Sequence, residues 1–453
     1  MDVIAVSVGP AVEGSLSDEV RILLIGLCFL YVISADRLLK RFNIPVLSLI
    51  LTLAIIAVPF SGVQPLGIPV EFIHILHLVC LNLVLFVAGL STDYSTIKGN
   101  YKYNILLSLA SPFVFTFLLA GILYLIISPQ FFGINFDLVS NIPFGVCLLV
   151  GSCLSALDGG AALRSICSLN EANRVPSKII STIKFESTIS SAMSIVIYGT
   201  LAAFFFEDFH DAHFVIGHDV GQHMSAISKS LVALLTTGIF DGLIFGLLAS
   251  WLFSSLQLSR SRHLVFGLSI VCIVYAISNT MGGSGLISCF VAGFVLNNRM
   301  PKDQRLSSLK GSIEPFNEAA ELFLCGAFAF RVEPSYLLQA LPLGLTCGLA
   351  MMFIARPASI LIFNSFSHLN FRENCFISWC GLKSVVSLAL SFELVELMSE
   401  FPGLDHATAA IAAYKIQAEI FVAVYFNLIL QGVTIPKIAR SIFPRSSPTT
   451  TAP

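Results

Sequence analysis

Apolar runs of about twenty residues follow one another along almost the whole chain, each long enough to cross a ~30 Å hydrocarbon slab at ~1.5 Å per residue. No other feature restricts the fold so strongly. Of the 453 residues, 56% are hydrophobic and 11% charged, less than half the ~25% charged share of an ordinary soluble domain. A large soluble core explains that composition poorly. The chain is therefore expected to be all-α, a polytopic membrane protein with room for one membrane domain and little else.

Polar and Pro/Gly clusters divide the chain into thirteen candidate spans, at 19–36, 45–60, 71–92, 103–128, 143–168, 178–206, 227–256, 263–279, 284–299, 315–331, 336–365, 372–397 and 405–433. Basic residues fall into alternate loops. One set holds Arg37, Lys40, Arg41, Lys98, Lys102, Arg164, Arg174, Lys178, Arg260, Arg262, Arg299, Lys302, Arg305, Lys310, Arg372, Lys437, Arg440 and Arg445; the other holds Arg331 alone, and its 207–226 loop carries Glu207, Asp208, Asp211 and Asp219. Because positive loops stay cytoplasmic, the N-terminus is expected outside and the C-terminus inside, in a multi-pass protein of the cell (inner) membrane. The expected layout is a short extracytoplasmic N-terminus (1–18), a membrane domain (19–440) and a cytoplasmic tail (441–453) whose Pro/Thr-rich end reads as disordered.

Thirteen spans divide into six, one connector and six, so that two halves enter the membrane with opposite orientation, an inverted repeat. The fifth and twelfth spans then correspond, and both carry interruptions: Gly151 and Asp158-Gly159-Gly160 in the fifth, Gly381 and Lys383 in the twelfth. Unwound backbone at membrane depth frees carbonyls and helix ends for an ion; the alternative is that these glycines only allow close packing.

Charged side chains inside spans each cost at least ~2.5 kcal/mol, so each needs a partner, water or a function. Asp158 starts the half-helix after the break, where the positive helix end favours its anion and partial desolvation favours its protonated form. Protons and metal cations then compete for one carboxyl, the minimum machinery of cation/proton exchange. Glu186 lies in the sixth span with Ser190 on its face, and Ser187 and Ser191 form a second i, i+4 pair. Hydroxyls around a carboxylate suit a hard cation, but Arg356 and Lys383 also make an ion pair available to Glu186. Lys415 and Glu419 sit at i, i+4 and are expected to neutralise each other, and Glu318 and Glu321 share a face as a vestibule or as groups that reach water. Lys184 and Asp241 have no evident partner.

A net charge of −2 offers nothing to nucleic acid. The eleven cysteines, never in C-x-x-C, read as small buried hydrophobes rather than disulfides or metal ligands. His210, His213, His218 and His223 are spaced too irregularly for a metal site, and no cofactor is expected. Gly282-Gly283-Ser284-Gly285 matches G-x-S-G, but an evident histidine partner is lacking, so an intramembrane protease, and an enzyme generally, is the weaker reading.

Six segments in order carry a resemblance. SALDGGAAL (155–163) resembles A-T-D-P-x-A, and NRVPSKIISTIKFESTIS (173–190) resembles x-V-P-x-x-L…E-G-E-S-L-x-N-D. GGSGLISCFVAGFVLNNR (282–299), IARPASI (354–360), SWCGLKSVVSLAL (378–390) and LILQGVTIPKIAR (428–440) complete the series. The family they resemble is that of the monovalent cation:proton antiporters, the sodium/proton exchangers. The resemblance implies that Asp158 is the site aspartate, that Glu186 pairs with Arg356, and that Lys383 stands at the family's arginine position in the broken twelfth span. It further implies alternating access, Na⁺ or K⁺ exchanged for H⁺, and a homodimer in the lipid bilayer. One departure stands out: Ser190-Ser191 replaces the family's Asn-Asp pair, leaving Asp158, Ser187, Ser190 and Ser191 as the expected ion and proton ligands. A carrier of the same fold with altered or lost coupling (a passive pathway, a symporter or an inactive scaffold) is the alternative.

Overall fold

The computed structural model describes residues 48, 51–52, 70–94, 101–127, 142–167, 175–206, 220–329, 332, 334–398 and 406–443. The first two expected spans fall almost wholly outside these residues, as do the N-terminal segment, the 446–453 tail and His210, His213 and His218. What is described is helical, and one antiparallel bridge, Leu157 to Lys383, is its sole strand-like pairing. A chain in lipid must satisfy its backbone internally, and helices do so within each segment. Five of the helices are long and apolar enough to cross a membrane. Large apolar side chains such as Phe240, Trp251, Leu338 and Phe353 stand on the outside, where hydrocarbon rather than water would be their solvent.

One bundle comprises α1 (Val70–Leu90), α6 (Val220–Leu256), α7 (His263–Thr280), α8 (Gly285–Arg299) and α9 (Gln304–Ala329). Small residues bring its backbones together. A Cβ on Gly89 would lie 2.1 Å from the Phe290 carbonyl oxygen, and one on Gly293 2.2 Å from that of Phe86, so α1 and α8 cross at a distance only glycine permits. Helix α9 begins eleven residues before the expected 315, carrying Pro315 inside it; the polar first turns disguised it as a loop.

The second bundle holds α2 (Tyr101–Ile127), α5 (Ser177–Phe206) and α14 (His406–Ile442), together with three interrupted segments. The first is α3 (Phe144–Cys153) followed by α4 (Gly159–Cys167), and the second is α12 (Phe371–Trp379) followed by α13 (Val385–Met398). The third is α10 (Pro334–Ala350), a π turn at Met351–Ala355 and α11 (Arg356–Leu361). Pro357 accounts for that π turn: it has no N–H to give the preceding turn, and its ring crowds the carbonyl four residues back.

Gly151 is not part of the interruption. It lies inside α3, where its missing side chain admits the Thr116 carbonyl, 2.6 Å from where a Cβ would stand. The break falls at residues 154–158 instead. The bundles meet where α9 packs on α13, with the rings of Phe328 and Phe392 stacked at 4.7 Å, and where α5 touches α6 and α1.

Candidate functional site

The two interruptions cross and pair with each other. Leu157 bridges Lys383, and the Asp158 backbone N–H donates to the Leu382 carbonyl at 2.8 Å. Extended backbone inside a bundle leaves polar groups that need partners, and two neighbouring helices supply them. From α5, Ser194 donates to the Ser152 carbonyl at 2.6 Å, Ser190 to that of Ser155 at 3.4 Å and Ser191 to that of Leu157 at 2.7 Å. From α14, the Asn427 side-chain oxygen accepts from the Lys383 N–H at 2.9 Å. Serine at 190, 191 and 194 thus lines one face of α5 with donors aimed at the break.

Asp158 caps α4. Its Oδ1 accepts from the Ala161 N–H at 2.8 Å, while Oδ2 lies 3.8 Å from the Arg164 guanidinium. Arg164 also stands 3.8 Å from Glu321 on α9. One half-exposed cation therefore joins the carboxylate at the break to a carboxylate on the other bundle. Sequence reasoning counted Arg164 only as a loop charge, although its place six residues after Asp158, in the last turn of a short half-helix, was a usable signal. Glu321, read from sequence as vestibule or snorkelling group, is drawn to this arginine; Glu318 is exposed. Gly159 is required by contact: a Cβ there would lie 1.9 Å from the Ser187 hydroxyl oxygen. Ser187 is thereby pressed against the Asp158 turn, its own hydroxyl bonded to the Lys184 carbonyl at 3.1 Å.

Glu186 and Arg356 form a bidentate pair, 2.7 and 2.9 Å, with residue exposures of 2% and 4%. Ser111 accepts a further bond from Arg356 at 3.3 Å. Gly381 makes the space, since a Cβ there would stand 2.8 Å from the arginine Nε. The pair ties α5 to α11 beside the second break. Lys383, 1% exposed, has no hydrogen-bond partner for its ammonium among the described residues; it lies 4.1 Å above the centre of the Phe115 ring. A cation there would offset the C-terminal ends of α3 and α12, and the ring face would add attraction. Neither Phe115 nor Asn427 carried a sequence signal.

The remaining charges are placed as follows. Asp241, buried, accepts from Ser278 at 2.9 Å beneath the Gly282–Gly283 turn. Ser284 caps α8. Lys184 lines a cavity of about 240 Å³ with Ser91, Thr92 and Asp93, between the end of α1 and α5. Asp93 in turn holds Lys302 and Asn297. The Lys302 bonds keep its carboxyl below the ordinary range, although partial burial acts in the opposite direction.

Two interrupted helices that cross and pair beside a part-buried carboxylate are an architecture of secondary carriers. The chain belongs to the family described as sodium/hydrogen exchanger, transmembrane, whose pattern matches residues 25–441. Among curated relatives, the K(+)/H(+) antiporter NhaP2 of Shewanella sp. strain MR-4 is 27% identical over 65% of this chain. The chain spans about half (46%) of that relative's length. The K(+)/H(+) antiporter NhaP of Alkalimonas amylolytica is 24% identical over 92% of this chain and 66% of its own. Among solved structures, the sodium proton antiporter MjNhaP1 of Methanocaldococcus jannaschii superposes with a TM-score of 0.78, covering 94% of this chain and 99% of that one at 17% identity.

Proposed function

We propose that this protein exchanges a monovalent cation, Na⁺ or K⁺, for H⁺ by alternating access, with Asp158 as the group for which cation and proton compete. The observation that carries the reading is the position of Asp158: a carboxylate at the crossing of two interrupted helices, its side chain 13% exposed and held by one backbone N–H and one half-exposed arginine. When a proton occupies Asp158, the attraction for Arg164 falls and the site accepts no metal ion. When the carboxylate is free, Arg164 and an incoming cation compete for it. An ion pair with a half-exposed arginine is worth about 1 kcal/mol or less, so a cation can displace it. Ser187, Ser190 and Ser191 offer oxygens to that cation, with Glu186–Arg356 and Lys383 holding the surrounding backbone. The contact from Arg164 to Glu321 spans the two bundles, and its release frees the interrupted bundle to move. Membership of the family and the NhaP relatives support this reading, and the alternation of basic loops supports a C-terminus and an Arg164 end that face the cytoplasm. A homodimer is part of the same proposal.

Proton flux into proteoliposomes loaded with a pH dye tests it. Na⁺ or K⁺ should drive flux in the wild type, and Asp158→Asn should abolish it; flux retained by the variant removes Asp158 from the role.

The second reading, altered coupling, is favoured by Ser191. Its hydroxyl donates directly to the Leu157 carbonyl, an oxygen that a cation at the break would otherwise find free. An aspartate there would set acceptor against acceptor and draw in a cation or proton between them. Ser191→Asp should therefore strengthen Na⁺-driven flux and tighten the apparent KM for Na⁺. If it leaves both unchanged, the lost carboxylate is not what separates this chain from a two-carboxylate exchanger.

A further inference from the structure

A second carboxyl is buried in the interrupted bundle away from the crossing. Glu419, on α14, is 8% exposed, and its Oε1 has no hydrogen-bond partner among the described residues. It faces a small cavity between α2, α3, α10 and α14, lined by Leu123, Val146, Cys147, Cys347 and Ile416, with about 20 Å³ open to the centre of a water molecule. That is room for about one water.

The groups around it are few. From α2 come Leu123 and Ile127, from α3 Cys147, and from α10 Cys347, so the facing elements bring two thiols and no formal charge to the cavity. Lys383 acts through space on Cys347. On its own helix Lys415, one turn earlier and half-buried, acts on Glu419 through space. The pairing expected from the i, i+4 spacing thus leaves Oε1 without a donor. An ionised carboxylate facing an apolar cavity with an unmade hydrogen bond is costly. A carboxylic acid in the same place needs only one acceptor, which a single water supplies.

We propose that Glu419 and this cavity form a proton-binding site distinct from Asp158, the carboxyl holding H⁺ in a hydrogen bond to one water in the cavity. The cavity is walled by α3, whose C-terminal end leads into the Asp158 turn, so a proton bound or released at Glu419 acts on a wall that α3 shares with α14. The site would give the carrier a second titrating carboxyl in place of the one lost at Ser191, a consequence that rests on the exchange reading; proton binding itself does not.

Infrared spectroscopy of the full chain reconstituted in lipid, titrated in pH, tests the site. The wild type should show a protonated-carboxyl C=O band that bleaches as the pH is raised and is missing in Glu419→Gln. Glu419→Asp should retain the band at a shifted position, which guards against a glutamine variant that does not fold. Asp158→Asn should abolish cation-driven flux and leave the Glu419 band in place, whereas Glu419→Gln should remove the band and flatten the pH dependence of flux. A band identical in wild type, Glu419→Gln and Glu419→Asp would show that Glu419 is ionised throughout and overturn the proposal, whatever the flux.

Discussion

Glu186 and Arg356 show what a single residue costs and returns in this bundle. Both are withdrawn from water, and their two hydrogen bonds, 2.7 and 2.9 Å, replace hydration with a fixed fork-to-fork geometry. Such a pair adds little net stability, because desolvation offsets most of the attraction, but removing one partner leaves the other charge stranded. Arg356→Ala should thus lower the unfolding free energy in detergent by about 3–5 kcal/mol, read from thermal melting of the purified protein. The double variant Glu186→Leu with Arg356→Met should recover much of that loss. A double variant as unstable as the single would mean that the arginine's bond to Ser111, and not its charge, is what matters. From sequence both this pair and a cation site were open to Glu186. Distance in the chain, 170 residues, hid the geometry that distinguishes them.

At the scale of elements, hydropathy located the helices, since length and apolarity alone place a segment in a membrane, and the DGG at 158–160 and the Gly381–Lys383 pair pointed to the two interruptions. Pattern failed where polarity or glycine had a local cause. Gly151 packs against Thr116 inside an intact helix, the start of α9 is polar, and the partners that satisfy the breaks, Ser194 and Asn427, look like ordinary membrane-helix residues until the crossing is built. The lash between α1 and the α8–α9 turn gives a pH test. Lys302 holds Asp93 below the ordinary carboxylate value of 3.8, so the folded state binds this proton less readily than the unfolded one. Its stabilisation is fully present above the unfolded value and lost as pH falls through the lower folded value. Asp93→Asn should accordingly melt below the wild type at neutral pH, and the two curves should converge only under pH 3.8. A difference constant down to that acidity would assign the effect to the hydrogen bond with Asn297 rather than to charge.

For the whole molecule, the arrangement of contacts separates what should move from what should not. Glycine-mediated crossings lock α1, α6 and α8 into one body, whereas the two bundles meet through ring stacking at Phe328–Phe392 and through the half-exposed Arg164–Glu321 contact. Alternating access by relative motion of the bundles therefore predicts opposite effects for two cross-links of similar reach. With the exposed Cys272 replaced by serine, Asp93→Cys and Lys302→Cys joined by a short bis-thiosulfonate should leave cation-driven proton flux intact, because both ends belong to one body. Arg164→Cys and Glu321→Cys joined by the same reagent should stop it, with flux restored on reduction. Equal flux through both cross-linked proteins would mean that the cation reaches Asp158 without the bundles separating there, and the passive pathway among the alternative readings would then fit better than exchange.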